Sequence, residues 1–329
     1  MRADRRTFLQ IVPTILAAPL GFAVEHAAAE TYPSRPIRLV VPYPAGGITD
    51  LIARFVAQGL TQRLGQQVIV DNKPGGNTVL ATQYVAKAAP DGYTLYVNTP
   101  SSYSINVAYY KSLPYGRNDY TAIAVTSELP LGLYVATSSP FKTFGELVAF
   151  AKANPGKLDC GSAGVLTQGA LAMEIVKSAL GLDIQVIPYQ GNAPAVVALL
   201  GNQVQLMLSD VASATSLIQA GRVRVLAVGT AKRLPALPAV PTFAEAGYPS
   251  VHLVSPWNGV FGPPGMPKSI VEKLNAEVNA IMASPEGMKL LRENSVEPAQ
   301  FSAEKMNAMV QTDYQVYAPL LAHLGLKEE

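Results

Sequence analysis

Two glycine-bearing loops hold the residue types best suited to gripping an anion. The first runs Tyr43-Pro44-Ala45-Gly46-Gly47-Ile48-Thr49-Asp50, the second Gly161-Ser162-Ala163-Gly164-Val165-Leu166-Thr167-Gln168. Each follows a stretch that reads as a strand and opens a segment with helical periodicity. Glycine lets backbone N–H groups approach a ligand closely. The start of a helix adds unpaired N–H groups and the positive end of its dipole. That chemistry suits a carboxylate or a phosphate. Neither loop fits G-x-G-x-x-G or G-x-x-x-x-G-K-[ST], which disfavours dinucleotide and P-loop readings. Either loop alone reads as a tight turn and cap; two of them, one in each half of the pattern, argue for anion binding.

Further candidates surround these loops. Asp50 and Arg54 stand four apart with the acid first, which reads as a helix cap and an i,i+4 ion pair. Asn98 ends a strand expected at 94–98, and Asp210 follows one expected at 205–208. Tyr189, in Pro188-Tyr189-Gln190-Gly191, and Trp257, in Pro256-Trp257-Asn258-Gly259, sit at strand ends, where core packing and cleft lining are both open. The candidate ligand contacts are therefore Tyr43, Ala45, Gly46, Gly47, Thr49, Asp50, Asn98, Gly161, Ser162, Ala163, Gly164, Leu166, Thr167, Gln168, Tyr189 and Asp210. In parallel sheets such residues gather at the carboxyl ends of the strands.

Catalytic parts are lacking. Of the three histidines only His252 stands between elements, and no G-x-S-x-G or H-E-x-x-H occurs. Cys160 is the single cysteine, so an intramolecular disulfide and a multi-thiolate metal site are both excluded. It reads as a small buried strand residue. No metal and no cofactor is expected. Lys and Arg are scattered and the formal net charge is only +2. No basic stripe for a phosphate backbone exists, so nucleic acid is not an expected partner.

Residues 1–29 read as an export segment. Arg2, Arg5 and Arg6 precede an apolar stretch from Phe8 to Val24, broken by Pro13 and Pro19, and Ala27-Ala28-Ala29 supplies a small-residue cleavage site. Arg5-Arg6-Thr7-Phe8-Leu9 fits the twin-arginine pattern; a general secretory signal with a chance Arg pair is the alternative. No cysteine marks a lipid anchor, and a soluble periplasmic protein of a Gram-negative cell is expected.

The rest of the chain must position the loops. Strand and helix alternate, which predicts parallel α/β layers. One series has strands at 37–42, 68–70 and 94–98 with a helix at 50–64. A second has strands at 133–136, 158–161, 184–188, 205–208 and 222–228, with helices at 143–154, 168–180 and 193–200. Strand character resumes at 252–261, and helices follow at 268–283, 286–294 and 303–324. The expected organisation is a first lobe begun by 30–129, a second lobe at 130–250, and a return to the first lobe with C-terminal helices at 251–329. A hinge-closing binder has this layout.

The sequence resembles the Bug-type solute-binding proteins of tripartite tricarboxylate transporters over essentially the whole mature chain. The resemblance is carried by Tyr32-Pro33 with Pro36-Ile37-Arg38-Leu39, by Gly46-Gly47 with Asp50 and Ala53-Arg54, and by Pro90-Asp91-Gly92-Tyr93-Thr94-Leu95. Residues 151–158, Gly161-Ser162, Pro188-Tyr189 with Gly191 and Pro194-Ala195, Leu226-Ala227-Val228, Leu237-Pro238 with Val240-Pro241-Thr242, and Glu245-Ala246-Gly247 extend it. It implies two Rossmann-like lobes with a hinge, the periplasmic binding protein type 2 architecture. It also implies a small organic acid as ligand, one carboxylate being held by backbone groups of the two loops. The implied partner is a two-subunit membrane permease; a periplasmic sensor kinase is the alternative, and a monomer is expected. Leu166 and Ala170 stand where the family usually carries Gly and His, and Gln205 replaces a common acid. These departures suit an aromatic or longer apolar acid.

Overall fold

The computed structural model describes residues 32–328, so the export segment expected at 1–29 lies outside the described residues. The first sheet has the order β11-β4-β10-β3-β1-β2 and the second β7-β6-β8-β5-β9. These strands are β1 Ile37–Val41, β2 Val68–Asn72, β3 Thr94–Asn98, β4 Thr121–Glu128, β5 Leu131–Ala136, β6 Leu158–Ser162, β7 Ile184–Pro188, β8 Leu206–Asp210, β9 Val223–Val228, β10 Trp257–Gly262 and β11 Glu297–Phe301. The helices are α1 Ile48–Leu64, α2 Val79–Ala86, α3 Ile105–Tyr109, α4 Phe144–Ala153, α5 Gln168–Leu180, α6 Asn192–Leu200, α7 Val211–Gln219, α8 Lys268–Met282, α9 Pro285–Glu293 and α10 Ala303–His323.

Each sheet has its own core, which makes two α/β lobes. In the first, Ile37, Leu39 and Val41 of β1 pack with Ile52, Val56 and Leu60 of α1 and with Leu274 and Val278 of α8. Apolar positions spaced at three and four residues put one face of α1 on the sheet. The helix stops at Gly65, whose left-handed φ of 71° lets its N–H reach Thr61 O. The opposite face of this sheet packs Tyr96, Tyr103, Trp257 and Phe261 against Met306 and Val310 of α10. In the second lobe, Leu133, Cys160, Leu206 and Leu208 meet Met173 and Val176 of α5, and Tyr134 and Met207 meet Ala195 and Leu199 of α6.

The sheets are mixed, where strand–helix alternation predicts parallel layers. The strands β1, β2 and β3 pair in parallel, as do β6, β7 and β8. By contrast β10 runs antiparallel between β3 and β4, β11 antiparallel to β4, and β5 antiparallel to both β8 and β9. The reversal follows from connectivity. The chain passes from β4 to β5 in two residues, and it returns from β9 to β10 through residues 229–256, so strands on either side of a crossing enter from opposite directions. The two crossings touch where Leu129 N donates to Pro256 O at 2.7 Å. Strand character expected from residue 252 begins only at Trp257, and α1 begins at Ile48, not Asp50.

Candidate functional site

The carboxyl ends of β1 and β6 face a cleft of about 1280 Å³. It is larger than the ~300–1,000 Å³ usual for a small-molecule pocket, as suits a groove open to solvent. Eleven of the expected contacts line it: Tyr43, Ala45, Gly46, Gly47, Thr49, Asp50, Ala163, Leu166, Thr167, Gln168 and Asp210. Asn98, Gly161, Ser162, Gly164 and Tyr189 are not among the lining residues.

The first loop is held open by its own side chains. Gly46 takes a φ of 97°, which strongly favours glycine. Gly47 is the N-cap of α1, extended at φ −79°, and no side chain caps the helix. The first amides of a helix have no acceptor within it, so this N-terminus presents N–H groups and dipole to the cleft. A Cβ at Gly47 would meet no atom within 4 Å, which leaves free space beside those groups. Asp50 is not the cap that the sequence suggests. Its carboxylate accepts from Gly46 N at 2.9 Å, Arg54 Nε at 2.9 Å and Asn72 Nδ2 at 2.8 Å. Burial alone would raise this acid, but the Arg54, Asn72 and Gly46 donors together hold it below the ordinary carboxylate value. Asp50 thus braces the loop from beneath. Thr49 donates to Asn258 Oδ1 at 2.9 Å, and the Tyr43 hydroxyl meets Thr99 Oγ1 at 3.0 Å.

The second loop differs. Thr167 caps α5 by accepting from Ala170 N at 3.3 Å. Its hydroxyl and that of Ser162 both point at Gly164 O, each at 3.0 Å. Fewer free donors therefore remain here than at α1. Gly161 is a packing glycine within β6, where a Cβ would meet Val204 Cγ2 at 3.0 Å. Gly169 is stricter still: a Cβ there would lie 2.2 Å from Leu208 O, so glycine is what brings α5 against β8. Tyr189 is half-buried against the second lobe's core, and its N–H donates to Ser162 O at 2.9 Å.

Two buried residues stand behind the site. Asn98 is wholly buried, donating to Ser102 Oγ at 2.6 Å, and its Oδ1 has no partner among the described residues. Trp257 belongs to the core, and its indole donates to Asp313 Oδ2 at 3.0 Å.

Several lining residues escaped the sequence reading. Asn192 opens α6 after Gly191, itself at φ 110° with no side-chain cap. The strand–glycine–helix signal used for the other loops would have found it. Its Oδ1 is buried without a partner among the described residues. Thr99 and Ser101 follow β3 as a polar strand end. Leu129 and Pro256 come from the crossings, Leu131 from the start of β5 and Asn294 from just beyond α9, and only the topology brings them to the cleft. The charged lining side chains are Asp50, Arg54 and Asp210, the first two paired with each other. Among the described residues no three His, Cys, Asp or Glu gather as a metal site.

Two α/β lobes with a cleft at the loops that end their strands define the fold of a solute-binding protein. The chain belongs to the tripartite tricarboxylate transporter family receptors, TctC, whose family model matches residues 52–326. It is 37% identical over 315 residues to a UPF0065 protein of Bordetella pertussis, covering 96% of this chain and 97% of that one. To the protein BugT of the same organism it is 32% identical, with 98% of each chain covered. Among solved structures it is similar to "R. palustris Rpa4515 with adipate", at 34% identity and a TM-score of 0.81, covering 89% of this chain and 98% of that one. MatC from Rhodopseudomonas palustris with bound malate follows at 29% identity and a TM-score of 0.76, covering 88% and 100%. No described helix is long and apolar enough to cross a membrane.

Proposed function

We propose that this chain is a periplasmic receptor that captures a small carboxylate in the cleft and delivers it to a two-subunit permease of the tripartite tricarboxylate type. The observation that carries the reading is the uncapped N-terminus of α1, set beside Gly46 and Gly47 on the cleft wall. Backbone N–H groups there suit an anion without a cationic side chain. The acids bound by the two R. palustris neighbours support the ligand class. Residues 1–29 would direct export, by the twin-arginine route on the reading of Arg5 and Arg6. The lobes would close about the crossings at Leu129 and Pro256, burying the acid between α1 and α5. The receptor then acts as a monomer.

Native mass spectrometry of the protein as purified tests the reading. A complex whose extra mass is released as an unchanged organic acid supports it. A bound species without a carboxylate, or one recovered chemically altered, contradicts it.

A further inference from the structure

The charge on the cleft wall restricts which acid fits. We propose that Asp210 selects for a monocarboxylate whose far end carries a hydrogen-bond donor, and that it turns away a second carboxylate; this rests on the carboxylate reading above. Asp210 ends β8 and caps α7, with its Oδ1 accepting from Ser213 N at 2.7 Å. No other donor reaches its side chain among the described residues, and it takes part in none of their ion pairs. It therefore keeps acceptor capacity on a residue that lines the cleft. Its backbone position is opposite Leu131, and Val211 N donates to Pro130 O at 2.8 Å, so Asp210 sits against the crossing between the lobes.

The remaining charges do not offset it. Arg54 is bound to Asp50 at 2.9 Å and to Asn72 Oδ1 at 3.1 Å, and no Lys or His lines the cleft. One Arg against two Asp leaves the described lining with a net negative charge. A first carboxylate is accommodated at α1, where the N–H groups are free. A second, reaching the wall of the other lobe, would face Asp210, and like charges brought together in a closed cleft repel strongly. A hydroxyl would instead donate to the unengaged oxygen. Leu129, Leu131, Leu166 and Leu208 also line the cleft and suit an apolar body.

Isothermal titration with two matched series tests this: hexanoate, ω-hydroxyhexanoate and adipate, then phenylacetate, para-hydroxyphenylacetate and para-carboxyphenylacetate. In the series that binds, the hydroxy acid should be tightest and the dicarboxylate at least about tenfold weaker. Asp210→Asn removes the charge while keeping a good helix cap, and should bring the dicarboxylate close to the hydroxy acid. Asp210→Ser, another capping residue, gives the same readout should the Asn variant misfold. A dicarboxylate that binds wild type as tightly as the hydroxy acid overturns the proposal, as does an affinity ratio unchanged in both variants. Failure of every acid in both series would instead remove the carboxylate reading itself, and this proposal with it.

Discussion

Gly46 donates its amide hydrogen to Asp50 Oδ2 across 2.9 Å, so the loop that opens α1 is tied down by an acid inside the helix it precedes. The same oxygen accepts from Arg54 Nε, while Oδ1 takes Asn72 Nδ2 from the end of β2. One buried carboxylate thus fixes the loop to the helix and to the neighbouring strand. The N–H groups at the start of α1 are held in place before any ligand arrives.

Replacing Asp50 should loosen the whole wall. Asp50→Asn loses a charge-assisted acceptor shared by three donors, at a cost of about 1–3 kcal/mol in stability, and should weaken acid binding as well. The pH dependence has a defined sign. Its pKa in the folded protein lies below the ordinary carboxylate value, so the stabilisation is present above the unfolded value and is lost as pH falls through the folded one. Thermal unfolding in increasingly acid buffer should therefore show a steeper loss for wild type than for the variant. Parallel curves would show that Asp50 contributes no such linkage.

Arg54 serves the buried Asp50 carboxylate and not the ligand. Its side chain is about half exposed, but the Asp50 carboxylate it serves is only 3% exposed, so losing the guanidinium leaves a buried acid short of one donor. Arg54→Gln should therefore lower stability measurably, with little change in affinity. A loss of affinity of about a hundredfold with unchanged folding would instead make the guanidinium a direct contact to the acid.

Asp313 makes the opposite pH prediction. Burial raises its carboxyl to about 7, against the lowering effect of the Trp257 indole donor. The folded state then holds a proton that the unfolded chain has already lost. Stability from this group is present in acid, below the unfolded value, and falls as pH rises from near 3.8 toward 7. Asp313→Asn should therefore match wild type in acid and exceed it above neutrality. The gap should open by at most about 1.4 kcal/mol per pH unit. Urea unfolding at several pH values checks this; a gap that stays constant with pH contradicts it.

Gly161 should behave as a packing residue. A Cβ there would press on Val204 Cγ2 at 3.0 Å and Met207 Cγ at 3.4 Å, away from the cleft. Gly161→Ala should lower stability by about 1–3 kcal/mol through overpacking, with affinity for the acid little changed. Selective loss of binding without loss of stability would restore it to the ligand-facing set.

Much of this arrangement was legible from local pattern, and the misses have physical causes. The strand of β1 and the helix of α1 were readable because alternation and helical spacing are local properties. Both glycine loops were found for the same reason, and eleven of the expected contacts do line the cleft. The strand β4 shows no alternation, because Ala122 through Ser127 are all buried, and its Ala122, Ala124 and Ser127 give a weaker strand signal than the Leu-, Tyr- and Val-bearing, equally buried β5. Strand direction depends on how the chain re-enters each sheet, and no local period encodes it. Gly161 and Gly47 look alike in sequence, yet one faces Val204 and the other faces open space, a difference made only by which side of the strand end each lies on. Trp257 likewise shares the strand-end pattern of a cleft residue, but Asp313, 56 residues away, holds its indole in the core.

The central claim is that backbone N–H groups beside Gly47 hold the acid. Isothermal titration of wild type and Gly47→Val with the acid recovered from the purified protein tests it most directly. The extended φ of −79° at Gly47 accepts a β-branched residue, and the space around it is open, so the variant should fold normally by circular dichroism. Its added methyl groups would occupy the ground beside the α1 amides. Wild type should bind the acid one-to-one, and Gly47→Val should show no detectable binding. Undiminished binding by a folded Gly47→Val protein would contradict it.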